Sequence, residues 1–269
     1  MSASGYVLDN LNECNRLERQ AALESLDRHL RHFPPLTGLK ILDAGCGSGA
    51  MARKVASSHP RSAVVGVDLN PSYVAFARQH VEAQTLGNLS FEIGDLMALP
   101  FPNGSFDVVW SRFVLYFLPR PAAAIAEFRR ILRPGGALIV SLHNWSTLIN
   151  YPEDAWLRER QQKVFAAVAD MRLAQKAPAM LSAGGFDNVS VEIELDPVYS
   201  AIGVFGPGNR RNFAEVLALA RGRIEEVLGG RGEADAYVRD QLAYLDRADT
   251  YTYSLLWTIK GIAPAVCEA

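Results

Sequence analysis

The sequence predicts an α/β fold: a doubly wound, seven-stranded, mostly parallel sheet that carries extra helices. Three observations point there. Between residues 40 and 142, short apolar, β-branched runs alternate with helical periodicities. That is the beat of βαβ crossovers, whose sheet is covered on both faces. The first run turns into a helix through three glycines in five positions, ILDAGCGSGA at 41–50. A long β-rich run, TYTYSLLWTIKGI, follows at 250–262. With 269 residues, 49% hydrophobic and 21% charged, the chain can bury one such core and add a lid.

Residues 11–33 read as a helix, with Leu11, Cys14, Leu17, Ala21, Leu26 and Leu30 at helical spacing. Asn10 or Asn12 suits its start, and His29, Arg31 and His32 suit its negative pole. Pro34-Pro35 ends it. Strands are expected at 40–44, 63–67, 88–93, 106–110 and 137–142, with helices at 49–58, 71–86 and 121–132 between them. The beat breaks after 145. Helices are then expected at 153–172, 174–183, 212–228 and 234–247, strands at 189–195 and 250–262, and a Gly/Pro-rich loop at 196–210. The domain reading is an N-terminal helical lid at 1–36 and an α/β domain at 37–269, with helical cap insertions at about 145–172 and 197–249.

Composition narrows the function. The formal net charge is −2 and the arginines are scattered, so no basic field forms and no nucleic-acid partner is expected. Cys14, Cys46 and Cys267 lie far apart, outside any zinc-ligand spacing, so no metal site is expected. So sparse a cysteine count suits a reducing cytoplasm. The first twenty residues lack the apolar core of a signal peptide. The longest apolar run, VVWSRFVLYFL at 108–118, contains Arg112 and is too short to span a bilayer, so no membrane partner is expected.

The glycine loop alone leaves two nucleotide guests open. Gly45, Gly47 and Ala50 satisfy the dinucleotide fingerprint, and the same residues fit the first loop of S-adenosylmethionine (SAM) enzymes. Glycines there let the backbone turn tightly and approach a ligand, at the start of a helix that favours negative charge. Asp68 ends the second strand, in VVGVDLN, where an acid can accept hydrogen bonds from ribose hydroxyls. This suits either guest. Asn70 serves to cap the next helix, which leaves Asp68 for a ligand. After the third strand comes Gly94-Asp95-Leu96-Met97. A carboxylate there can accept from an adenine amino group while Met97 packs on the ring; a nicotinamide fingerprint makes no demand for it.

Together, ILDAGCGSG, VVGVDLN, GDLMALPFPNGSFDVVWSRFVLYFL and LRPGGALIVS resemble the class I SAM-dependent methyltransferases, in family order and spacing across residues 38–142. The resemblance implies a Rossmann-like sheet whose last strand is antiparallel. It implies that Asp43, Ala44, Gly45, Cys46, Gly47 and Gly49 receive the methionine part of SAM. Asp68 and Leu69 would hold the ribose, and Asp95, Leu96 and Met97 the adenine. Ser111 and Arg112 follow the fourth strand, near the methionine moiety and the substrate mouth. S-adenosylhomocysteine (SAH) would be the product. GYVLDNLNECNRLERQ also resembles the lid of small-molecule, secondary-metabolite methyltransferases. There Glu13, Arg16, Leu17 and Gln20 share one helix face, Arg16 suits the methionine carboxylate and Tyr6 the sulfonium.

Methyl transfer is an in-line displacement, so a base is needed only if the acceptor must lose a proton. His143, just past the fifth strand, is the candidate base, and Tyr116 a second catalytic candidate. Phe205, Phe213, Tyr237, Tyr244, Tyr251 and Trp257 offer aromatic material for an acceptor pocket, most of it ordinary core. The reading is methylation of a small molecule on O, N or C by a monomer or homodimer. Three alternatives stay open: a SAM-binding cyclase or binding protein of the same fold, a nucleic-acid or protein methylase, and an NAD-dependent dehydrogenase.

Overall fold

A computed structural model describes residues 11–35, 37–84 and 86–265. Its sheet has eight strands, in the order β3-β2-β1-β4-β5-β8-β6, with the two-residue β7 paired antiparallel to β8. β1 (Lys40–Ala44), β2 (Ala63–Asp68), β3 (Leu89–Ile93), β4 (Phe106–Arg112) and β5 (Leu132–Tyr151) pair in parallel with one another along the order β3-β2-β1-β4-β5. β6 (Asp187–Leu195), β7 (Ala201–Ile202) and β8 (Tyr251–Ile262) follow. Strand order reverses between β1 and β4, which is where an open parallel sheet makes a ligand crevice.

Two compact units form. The sheet unit holds residues 25–142, 174–192 and 257–265. Its core is built from Ile41, Leu42, Val67, Phe106, Trp110, Phe128, Leu138 and Ile139, all buried. α2 (Leu26–Leu30), α3 (Ala50–Ser58), α4 (Pro71–Gln84), α5 (Pro121–Ile131) and α7 (Leu173–Ala183) belong largely to it. The second unit holds residues 11–24, 143–173 and 193–256. It contains α1 (Leu11–Leu23), α6 (Ala155–Val168), α8 (Pro207–Leu219), α9 (Arg221–Leu228) and α10 (Arg231–Leu245). Phe205, Phe213, Leu217, Ile224, Tyr237 and Tyr244 pack into its core, so four of the expected pocket aromatics are core residues.

Three element expectations change. The single helix at 11–33 is two, because the chain tightens at Glu24, whose amide bonds Ala21, and Ser25 is extended. The helix at 212–228 is likewise α8 and α9, split at Ala220. β5 runs for 20 residues rather than six, through the Gly135-Gly136 turn and on to Tyr151. The Gly135 amide donates to Ala263 O at 2.9 Å, which ties the turn to the chain beyond β8. Past Leu142 the segment HNWSTLINY is aromatic and β-branched, favouring a strand. The helix expected at 153–172 runs from Ala155 to Val168, and the Asp154 carboxylate caps the Leu157 amide at 3.0 Å.

Candidate active site

Strand ends bring the predicted cofactor residues of the sheet unit together. β1 delivers Asp43 and Ala44, both buried, and the chain then turns through Gly45, Gly47 and Gly49 at φ +83°, +53° and +76°. An L side chain at Gly45 would run into Val114, and one at Gly49 into Phe91 and Ala77. These two glycines are therefore demanded by protein packing as well as by backbone conformation. The Gly45 and Cys46 amides both donate to Val67 O, at 2.8 and 2.9 Å, and the Gly49 amide donates to Cys46 O at 2.9 Å. The loop thus spends those amides on holding its own shape against β2.

Asp68 completes the clamp. Its Oδ2 accepts from the Gly47 amide and its Oδ1 from the Asn70 amide, each at 2.9 Å. Asn70 in turn caps α4 by accepting from Ser72 N at 2.9 Å. A carboxylate offers about four acceptor positions, so this clamp is compatible with hydroxyl donors. Leu69 and Ile93, at the ends of adjacent strands, are 45% and 49% exposed, an apolar surface beside the acid. The Gly94 amide bonds Asp68 O at 3.0 Å and brings Asp95 alongside. Asp95 accepts from Met97 N at 2.8 Å; Leu96 is buried and Met97 half-buried.

On the other side, Ser111 Oγ donates to Ala44 O at 3.1 Å. The Arg112 guanidinium lies 5.3 Å from the Trp110 ring centre and 4.9 Å from that of Phe113. Ser111 and Arg112 lie within β4 rather than after it, because parallel pairing with β5 continues through Arg112↔Ser141. Burial pushes Asp43 up to about 7; Arg112 opposes this rise and the Asp68 carboxylate adds to it. Tyr116 sits in a short 3₁₀ turn, buried, with its ring edge-on to Phe117.

The second unit holds the other predicted residues, except Tyr6, which lies outside the described residues. Arg16 is 4% exposed. Its Nε and Nη2 grip both oxygens of Glu13 at 2.7 and 2.6 Å. Its Nη1 donates to Gln20 Oε1 at 2.6 Å and to Asn212 Oδ1 at 2.8 Å. The fork expected to face a methionine carboxylate is engaged by this internal network. Asn212 Nδ2 continues it to the Tyr199 hydroxyl at 3.2 Å. Burial pushes Tyr199 up to about 12, Arg16 and the Asn212 bond acting against it and Asp196 and Glu13 with it.

His143, also 4% exposed, sets Nδ1 against Asp196 Oδ2. Its ring lies 4.7 Å from that of Trp145 and 5.2 Å, edge-on, from that of Tyr199. Sequence reasoning missed Asp196 and Asn212. The Asp196-Pro197 pair signals a turn, and Asp196 Oδ1 does accept from Val198 N at 2.8 Å, but nothing in the spacing ties position 196 to 143.

Among the described residues no group of three or more His, Cys, Asp or Glu could hold a metal, and no helix is long and apolar enough to cross a membrane.

Residues 42–140 match the family described as "Methyltransferase domain". A ubiquinone/menaquinone biosynthesis C-methyltransferase, UbiE, of Dinoroseobacter shibae is 38% identical over 115 residues, 42% of this chain and 46% of that protein. Malonyl-[acyl-carrier protein] O-methyltransferase of Hahella chejuensis is 35% identical over 118 residues, 43% of this chain and 40% of its own. The chain thus spans less than half the length of these relatives. Among solved structures, the [4+2]-cyclase SpnF superposes with a TM-score of 0.62 at 23% identity, over 92% of this chain and 82% of that one, a likeness of fold.

Proposed function

We propose that the chain, whose residues 42–140 match the methyltransferase-domain family, transfers a methyl group from SAM to a small-molecule acceptor, on O, N or C. One observation carries the reading furthest: three acids, Asp43, Asp68 and Asp95, stand at adjoining strand ends around one glycine loop. The residues suit the cofactor. Asp68 would accept from the ribose hydroxyls, Asp95 and Met97 would meet the adenine, and Asp43 would face the α-ammonium. When bound, the cofactor supplies a methyl group already activated by its sulfonium. The protein then has to orient the reactants and exclude water.

The finer parts of the proposal have separate supports. The roles of Tyr6, Arg16 and Gln20, and a lid at 1–36, rest on the resemblance of the N-terminal segment, and caps at about 145–172 and 197–249 rest on the helical periodicity of those segments. A cytoplasmic setting rests on the sparse cysteines, and a monomer or homodimer remains the working assembly. The test is mass spectrometry of reactions with trideuteromethyl-SAM and candidate metabolites. A product heavier by one labelled methyl is expected. A product of unchanged mass but altered skeleton would instead establish the cyclase reading, which the likeness to SpnF keeps in view.

A further inference from the structure

We propose that Glu127 and Arg130 on α5 are positioning residues that brace the Asp95 turn and so give the cofactor site its preference for adenine over other purines; this rests on the SAM reading above. The turn that carries Asp95 closes on itself. Asp95 Oδ1 accepts from Met97 N at 2.8 Å, and Asp95 O accepts from Ala98 N at 3.0 Å. Its far end is held from α5. The Leu99 amide donates to Glu127 Oε2 at 2.9 Å, and the Leu99 carbonyl accepts from Arg130 Nη2 at 2.9 Å. Arg130 Nη1 donates to Phe101 O at 2.7 Å and to Asn103 Oδ1 at 3.0 Å. Arg130 Nε and Nη2 donate to Glu127 Oε1 and Oε2 at 2.9 and 2.8 Å. These bonds match the five N–H groups of a guanidinium. The Gly104 amide then donates to Arg130 O at 3.1 Å and ties the end of the loop to the same residue.

The brace stands on a fixed base. Ala124, Ile125, Phe128 and Ile131 bury another face of α5. Glu127 and Arg130 lie one helical turn apart, with 21% and 31% of their side chains exposed. An ordinary ion pair at that exposure contributes little. This one differs in what it grips, which is main chain at Leu99 and Phe101. The bond from Arg130 holds the Glu127 carboxyl below its usual range, burial opposing and the Leu99 amide assisting, so the pair is charged at neutral pH.

A carboxylate tells adenine from hypoxanthine only if it is fixed. The adenine amino group donates to it, whereas the hypoxanthine keto oxygen would meet it lone pair to lone pair. A carboxylate free to swing away would escape that clash and lose the discrimination. The grip on Leu99 prevents the retreat, because the Asp95 turn is anchored beyond its own closing bonds.

Calorimetric titration with SAH and with S-inosylhomocysteine, in which a keto oxygen replaces the adenine amino group, reads the effect. Wild type should prefer SAH by about 10- to 100-fold, the scale of a charge-assisted hydrogen bond. Arg130→Lys keeps the charge without the fork, and Glu127→Gln keeps the shape without the charge. Each should cut the preference to near unity. An unchanged ratio, whether both ligands weaken together or neither does, is the mark of a merely structural role and overturns the proposal. Should the variants fail to fold, hydrogen exchange of wild type carries the test. The Leu99 amide should exchange about ten-fold more slowly in saturating SAH than in saturating S-inosylhomocysteine, and equal rates overturn the proposal. Wild type that binds both ligands equally overturns this proposal alone, whereas wild type that binds neither sinks the SAM reading and the proposal with it.

Discussion

Asp43 should make the ligand-free protein less stable as pH rises, and neutralising it should remove that slope. Burial lifts this carboxyl from 3.8 to about 7. Between those values the folded chain holds a proton that the unfolded chain has lost. Stability therefore falls as pH rises through this window; the stabilisation is complete below 3.8 and gone above about 7. At ~1.4 kcal/mol for each factor of ten, the effect is capped at about 4 kcal/mol. Asp43→Asn keeps the shape and removes the charge. Denaturant unfolding of both proteins at pH 5 and pH 8 would measure the difference. The variant should gain on wild type between the two, by up to a few kcal/mol. Its affinity for SAH should fall, because the α-ammonium loses its carboxylate. Below pH 7, SAH binding to wild type should release up to one proton, read from the buffer dependence of the calorimetric heat, and binding to the variant should not. Parallel pH–stability curves for the two proteins would refute the account of Asp43.

Asp68→Ala should weaken SAH binding by about 1–3 kcal/mol, the cost of lost charged hydrogen bonds, and unchanged calorimetric affinity would remove the acid from the ribose. Arg16→Ala leaves the Glu13 carboxylate buried without its bidentate partner. Unfolding free energy should drop by about 3–5 kcal/mol, less in Arg16→Ala/Glu13→Gln, and an unchanged denaturant midpoint contradicts this. Gly49→Ala forces a side chain into a left-handed position against Phe91 and Ala77. The expected loss is at least about 1–2 kcal/mol, visible as a lower Tm.

The sheet was legible because local signals agreed with the global fold at each strand from β1 to β4. The glycine loop, Asp68 and Asp95 were legible because each sits at a strand end that the alternation located. β5 was misjudged because Gly135-Gly136 reads as a stop, whereas Ala263 O takes up the Gly135 amide and the strand carries on. The break at Ser25 escaped because Leu26 and Leu30 keep helical spacing across it. Asp196 and Asn212 were invisible for another reason. Their partners, His143 and Arg16, are 53 and 196 positions away in the chain, and only tertiary folding creates those pairs. The glycines were located but only partly understood, since Val114 and Phe91 occupy the space a side chain would need at Gly45 and Gly49.

Calorimetric titration of the intact chain with SAH and, separately, with NADH tests the central claim most directly. One SAH should bind at micromolar strength and NADH should give no heat. Binding of NADH with SAH inert would contradict the account, and return the glycine loop and Asp68 to a dinucleotide.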